Sequence, residues 1–94
     1  MTEEAVCVGV DVAKNTLDMA VSNSKETRQF ENDHEGITGA VRYIADLKPA
    51  KIILEATGNY EMPLAAALQA SRLPVVIVNP RQVRDYFLKY WFSH

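Results

Sequence analysis

The stretch VCVGVDV, residues 6–12, decides the fold, because it is a short, nearly continuous apolar run rich in β-branched residues. Such a run predicts a central strand that is buried on both faces of a sheet. Two similar runs follow, KIILE at 51–55 and PVVIV at 74–78. The sequence therefore predicts three buried strands, separated by segments of different character.

Two of the separating segments have the period of strands. Residues 17–22 alternate between apolar and polar side chains, which is typical of a half-buried strand. Residues 26–31 are mostly polar, and charged side chains of this kind are common on edge strands, where they discourage further pairing. With the first apolar run, these two segments predict an antiparallel three-stranded meander.

The remaining segments have the period of helices. Residues 33–47 carry apolar side chains at spacings of three and four, so they predict an amphipathic helix, with Asn32 as its cap. Residues 60–71 are rich in Ala and Leu and predict a second helix. A third helix is expected over 80–92, because an Asn-Pro pair begins it.

The order of these elements defines a topology. Strands that alternate with helices are expected to lie parallel, so the meander continues into two parallel strands. The result is an α/β fold with a five-stranded mixed sheet in the order 3-2-1-4-5 and helices on its faces, which is the ribonuclease H-like (RuvC-like) layout. A length of 94 residues predicts one such domain over 1–94.

Composition excludes several classes of protein. A formal net charge of −2 argues against a freestanding electrostatic DNA-binding module, which is normally basic. Hydrophobic residues make up 48% of the chain and charged residues 23%, which argues against disorder. The single cysteine, Cys7, excludes an internal disulfide and suits a reducing cytoplasm. No apolar run is long enough to span a membrane, so we expect a cytoplasmic protein.

Two carboxylates follow the predicted central strands. Asp11 stands at the end of the first strand and Glu55 at the end of the fourth. If these strands are parallel neighbours, the two acids lie at the sheet edge where open α/β sheets place ligands. Carboxylate oxygens are preferred by Mg²⁺, so the pair is a candidate metal and catalytic site. Either acid alone is more typical of a turn or a helix cap, whereas the two together, in this order of elements, favour a site.

Other candidates surround this edge of the sheet. Lys14 and Asn15 lie in the turn after Asp11, where they would contact a phosphate of nucleic acid or simply be exposed turn residues. Thr57 follows Glu55 at a helix start, where free N–H groups favour an anion, although simple capping of the helix is the more frequent role of such a residue. The candidate nucleic-acid contacts are Lys14, Asn15, Thr57, Arg81 and Arg84.

The last predicted helix carries an aromatic stripe. In a domain this small, part of such a stripe is expected to be exposed to solvent. An exposed aromatic patch indicates a surface that binds a partner or a second copy of the chain. We therefore expect a homo-oligomer. The candidate interface residues are Phe87, Tyr90, Trp91 and Phe92.

Three blocks of this sequence resemble a known family. The blocks are VGVDVAK at 8–14, LEATGNY at 54–60 and VIVNPRQV at 76–83. They resemble the bacterial insertion-sequence transposases with a RuvC-like DEDD domain, a group that includes the Piv-type DNA invertases. The resemblance spans about residues 5–86, nearly the whole chain.

The resemblance implies DNA transposition and recombination by Mg²⁺- or Mn²⁺-dependent cutting and joining of strands. The family uses a tetrad of Asp, Glu, Asp and Asp, in which Asp11 matches the first acid and Glu55 the second. No residue matches the third and fourth acids, because YFLKYWFSH at 86–94 stands where family members continue toward them. We therefore expect an N-terminal catalytic-domain fragment, incomplete at its C-terminus, weak in metal binding and inactive alone.

Other functions stay open at this stage. The chain would bind DNA through the full-length protein, and some relatives also use a guide RNA. A RuvC-like nuclease or resolvase is a near alternative, and a non-catalytic dimerising module derived from a transposase is another. Actin-like ATPases also open with a Gly-Val-Asp-Val strand end, but residues 12–15 lack the glycines of a phosphate-binding turn.

Overall fold

The structure is a computed structural model that describes residues 5–55 and 58–78. Its elements follow the predicted succession of strands and helices. They are β1 (Cys7–Val12), β2 (Thr16–Val21), β3 (Thr27–Glu31), α1 (His34–Leu47), β4 (Lys51–Glu55), α2 (Met62–Ala70) and β5 (Val75–Val78). The third predicted helix, over 80–92, lies outside the described residues.

The five strands form one mixed sheet in the order β3-β2-β1-β4-β5. β1, β2 and β3 pair antiparallel, because short turns join them. β4 is parallel to both β1 and β5, since a helix separates each successive pair of strands after β3. The predicted fold class, a ribonuclease H-like mixed sheet of this order, is confirmed.

The main hydrophobic cluster of the described residues lies on one face of this sheet. β1 contributes Val8, Val10 and Val12, whose partners across the ladder on β2 and β4 belong to the same cluster. Both described helices supply fully buried side chains to it: Ala40 and Ile44 from α1, Leu64 and Leu68 from α2. Because side chains alternate along a strand, Asp11 lies on the opposite face. A charged residue can therefore stand between two buried valines.

The prediction of a buried strand at 74–78 is wrong in part. Among the described residues, β5 pairs with β4 alone and lies at the end of the sheet. Its Val76 and Ile77 are each 42% exposed. An apolar run predicts a strand. Whether that strand is central or at the edge of the sheet depends on how many other strands pair with it.

The start of α1 also differs from the prediction. Asp33, rather than Asn32, caps the helix: its backbone is extended, and its carboxylate accepts a hydrogen bond of 2.7 Å from the Gly36 N–H. The Asn32 side chain instead makes hydrogen bonds to more distant segments of the chain. The helix ends at Leu47, and its C-cap, Lys48, adopts the left-handed conformation with φ of 50° before Pro49.

Both described helices are short. α1 has 14 residues and α2 has 9. Within residues 5–55 and 58–78, no helix has the length and apolar character needed to cross a bilayer.

Candidate metal centre

Asp11 and Glu55 lie side by side at the carboxyl edge of the sheet. β1 and β4 are parallel neighbours, and their register pairs the Cα atoms of these two residues. Residues paired in this way project from the same face of a sheet, here the face opposite the cluster that contains Val8, Val10 and Val12. Asp11 is exposed and Glu55 is half-buried. The structure thus brings together the two acids that the sequence singled out.

The pair is electrostatically unfavourable when both groups are ionised. Burial raises the pKa of the Glu55 carboxyl above its ordinary value of 4.5. The negative charge of Asp11 raises that pKa further, as does a hydrogen bond between the two side chains. A carboxyl–carboxylate hydrogen bond requires a shared proton, so either that proton or a bound cation relieves the repulsion.

Without metal, the Glu55 carboxyl is expected to titrate above 4.5 in the folded protein. Asp11→Asn should lower this pKa part of the way, because the charge is removed while burial remains. Between the ordinary and the raised pKa, the folded state binds more protons than the unfolded chain. The contribution of Glu55 to stability is therefore greatest below pH 4.5 and declines as pH rises through the raised pKa.

The ¹³C shift of the Glu55 carboxyl, followed against pH in both proteins, measures this effect. An identical titration in wild type and Asp11→Asn would show that the two side chains do not interact.

The donor set suits a hard divalent cation. Two adjacent carboxylates offer oxygen ligands and a negative charge, and Mg²⁺ is commonly held by one or two carboxylates together with water and substrate phosphates. In the ranges 5–55 and 58–78, no cluster of three or more His, Cys, Asp or Glu residues could hold a metal ion. The described residues therefore fit a partial site with two protein ligands.

Asp18 is the neighbour of Asp11 on its other side. Their Cα atoms are paired in the antiparallel ladder between β1 and β2. Asp18 is exposed, and its Oδ1 accepts a hydrogen bond of 2.8 Å from Nε2 of Gln29 on β3. This contact links Asp18 to the outer strand of the meander, so we do not count it as a ligand.

The predicted nucleic-acid contacts are only partly within the described chain. Lys14 and Asn15 are exposed in the turn between β1 and β2, next to Asp11. The other predicted contacts and the whole predicted interface lie outside the described residues: Thr57, Arg81, Arg84, Phe87, Tyr90, Trp91 and Phe92.

Two polar residues near this edge were not recognised as part of a site. Asn32 donates from its side chain to the carbonyls of Ala13 and Tyr60, at 2.9 and 3.2 Å. Glu61, directly before α2, is only 5% exposed, and its Oε1 has no hydrogen-bond partner in the described part of the chain. In the sequence, Asn32 and Glu61 are each a polar residue at the junction of two elements, and such a residue equally predicts a helix cap.

A groove between α1 and α2 contains neither acid. Ile37 and Val41 line it on one side and Pro63 and Ala67 on the other, and Asn32, Asp33 and His34 also contribute to the lining. The groove does not bring two carboxylates together, so Asp11 and Glu55 are the better candidate for function.

The mixed sheet, with a pair of acids at the ends of two neighbouring parallel strands, defines a ribonuclease H-like domain with a candidate metal centre. Residues 8–90 match the transposase family of the IS110 DEDD type. The chain belongs to that family. No curated protein matches the sequence significantly.

One solved structure of similar fold is a protein from Bacteroides thetaiotaomicron with an actin-like ATPase fold and unknown function. It is 18% identical, with a TM-score of 0.55, and the match covers 81% of this chain. The same match covers 33% of that protein, so this chain spans about a third of its length. At this identity the likeness supports the fold alone.

Proposed function

We propose that this chain supplies the first two acids of the catalytic centre of a transposase that cuts and joins DNA strands with a divalent metal ion. The observation that carries the proposal is the register of β1 and β4, which pairs Asp11 with Glu55. Membership of the transposase family supports the same assignment, because the resemblance of the sequence to that family implies that Asp11 and Glu55 are the first and second acids of the tetrad. The chain would be the N-terminal part of that enzyme.

Asp11 and Glu55 would hold the Mg²⁺ or Mn²⁺ ion. When bound, such an ion activates a nucleophile and stabilises the leaving oxygen in phosphodiester chemistry. The chain contributes rigid placement, since β1 and β4 are interior strands that pair on both sides. The buried Val10, Val12 and Leu54 beside the acids anchor both strand ends in the core. The separation of the two carboxylates is thereby set by the sheet.

Two carboxylates hold a metal less tightly than four, because fewer charged ligands oppose the cost of removing water from the ion. We expect weak metal binding by residues 1–94 and no efficient strand transfer by them alone. Lys14 and Asn15, which are exposed in the turn after Asp11, would contact a DNA phosphate beside the pair. With a net charge of −2, most of the affinity for DNA must come from other parts of the protein.

We also propose a cytoplasmic homo-oligomer that acts on DNA, with guide RNA as a further partner. The buried free Cys7 suits a reducing compartment.

Melting curves with added divalent metal test the metal site. A ligand that binds the folded state at ten times its Kd stabilises by about 1.4 kcal/mol. In a domain of this size, that corresponds to a rise in Tm of roughly 6–11 °C. We expect Mg²⁺ and Mn²⁺ to produce a saturable rise of this kind, and NaCl of matched ionic strength to produce none.

Two further measurements separate the proposed function from its alternatives. An additional rise when ATP is added to Mg²⁺ would favour an actin-like phosphate-binding function. No response to metal, together with sedimentation that depends on concentration, would favour the non-catalytic dimerising module.

A further inference from the structure

We propose that Asn32 is a positioning residue that links, by hydrogen bonds, the two connections next to Asp11 and Glu55. These connections are the turn at 13–15 between β1 and β2, and the segment at 58–61 between β4 and α2. The inference rests on the proposed function, because it concerns how the surroundings of that metal centre are held.

Asn32 contacts both connections at once. Its backbone N–H donates to the carbonyl of Asn15 at 2.9 Å. Its side-chain Nδ2 donates to the carbonyl of Ala13 at 2.9 Å and to that of Tyr60 at 3.2 Å. Ala13 is two residues beyond Asp11, and Tyr60 is five beyond Glu55. One side chain therefore bridges the segments that leave the two acids.

The contacts define the orientation of the Asn32 amide. Both partners of the side chain are carbonyl oxygens, so only the NH₂ group can face them. Its Oδ1 is then left buried, with no donor among the described residues. A buried acceptor without a partner carries a desolvation cost, so its presence in a native structure calls for an explanation. Here the explanation is that the NH₂ group of Asn32 must face the two carbonyls.

The backbone next to Asn32 is itself held in place by hydrogen bonds. Asp33, the next residue, caps α1 through the Gly36 N–H, and its carbonyl accepts from the N–H of Ile37 at 2.8 Å. Asn32 is therefore held between the end of β3 and the first turn of α1. Movement of either flanking connection would have to break a bond to this fixed point.

The first test uses the wild-type protein. Both NH₂ protons of Asn32 are engaged, so they should exchange with solvent roughly tenfold more slowly than those of Asn23, an exposed residue of the β2–β3 turn. Exchange as fast as that of Asn23 would overturn the proposal, and this measurement needs no variant that folds.

The second test compares Asn32→Ala with Asn23→Ala as the matched control. Loss of the bridge should speed exchange roughly tenfold at the Ala13 and Met62 amides, which donate to the carbonyls of Thr16 and Asn59 and so close the two connections. Unchanged exchange at either amide would contradict a bridge between them. Asn23→Ala should leave both unchanged.

Mn²⁺ supplies a readout that a purely structural role would not change. In the wild type, bound Mn²⁺ should broaden the amide signals of 13–15 and 58–61. In Asn32→Ala the broadening of these connections should weaken, while that of Val10 and Leu54 on the strands remains. Equal broadening of the connections in both proteins would overturn the positioning role. Absence of any broadening in the wild type would contradict the proposed function instead, and hydrogen exchange would still decide the bridge.

Discussion

Asp11→Asn is expected to abolish the rise in melting temperature that Mg²⁺ or Mn²⁺ produces, while leaving the metal-free protein at least as stable as the wild type. The substitution removes one of two carboxylate ligands, and a neutral amide oxygen is a much weaker partner for a hard cation. It also removes the negative charge that raises the pKa of Glu55. Loss of metal response without loss of folding distinguishes a ligand from a structural residue.

Glu55→Gln should have the same effect on the metal response, because both carboxylates are needed to hold the ion. Matched controls exist for each change. Asp46→Asn and Glu26→Gln remove the same charges at exposed positions, near the C-terminal end of α1 and in the β2–β3 turn. Both controls should retain the full metal-dependent shift in Tm.

Calorimetric titration of Mn²⁺ into the five proteins provides a second measurement of the same site. Full Mn²⁺ binding by both Asp11→Asn and Glu55→Gln would show that the metal binds at another site. A response lost in Asp11→Asn but kept in Glu55→Gln would remove Glu55 from the ligand set.

Gly36→Ala is expected to destabilise the fold by about 1–3 kcal/mol or more, as overpacking against fixed atoms does. A Cβ at this position would fall onto the carbonyl oxygen of Glu31, with the Glu31 carbon at 2.6 Å and its nitrogen at 2.8 Å. These are backbone atoms at the end of β3, so they cannot rotate away. The first turn of α1 would have to move off the sheet, taking the Asp33 cap with it.

Gly39→Ala is the matched control in the same helix. Among the described residues, its added Cβ would meet only the ring of Phe30, at 3.6 Å, which is ordinary van der Waals contact. Because alanine favours the helix over glycine, this variant should gain about 0.5–1 kcal/mol. Urea denaturation of both variants measures the difference. A Gly36→Ala protein as stable as Gly39→Ala would show that the close approach of α1 to β3 is absent.

Much of the fold could be predicted because its signals are local. The apolar run at 6–12 and the change from a period of two to a period of 3.6 after residue 32 identify strands and helices from neighbouring residues alone. The order of these elements restricts the sheet to few topologies. The adjacency of Asp11 and Glu55 follows from that topology, since each acid stands at the end of its strand.

The contacts of Asn32 could not be predicted in this way. A polar residue just before a helical pattern predicts a cap, and both Asn32 and Asp33 satisfy that pattern. The structure assigns the cap to Asp33 and leaves Asn32 to bond residues 19 and 28 positions away in the sequence. No local pattern encodes contacts over such separations.

The sequence by itself determined the kinds of element, their order and the two acids at the strand ends, because propensity and periodicity act between near neighbours. The tertiary structure alone decided the edge exposure of β5, the close approach at Gly36, the bridge made by Asn32 and the raised pKa of Glu55. Each of these depends on distances between residues far apart in the chain, which exist only once the sheet and helices have packed.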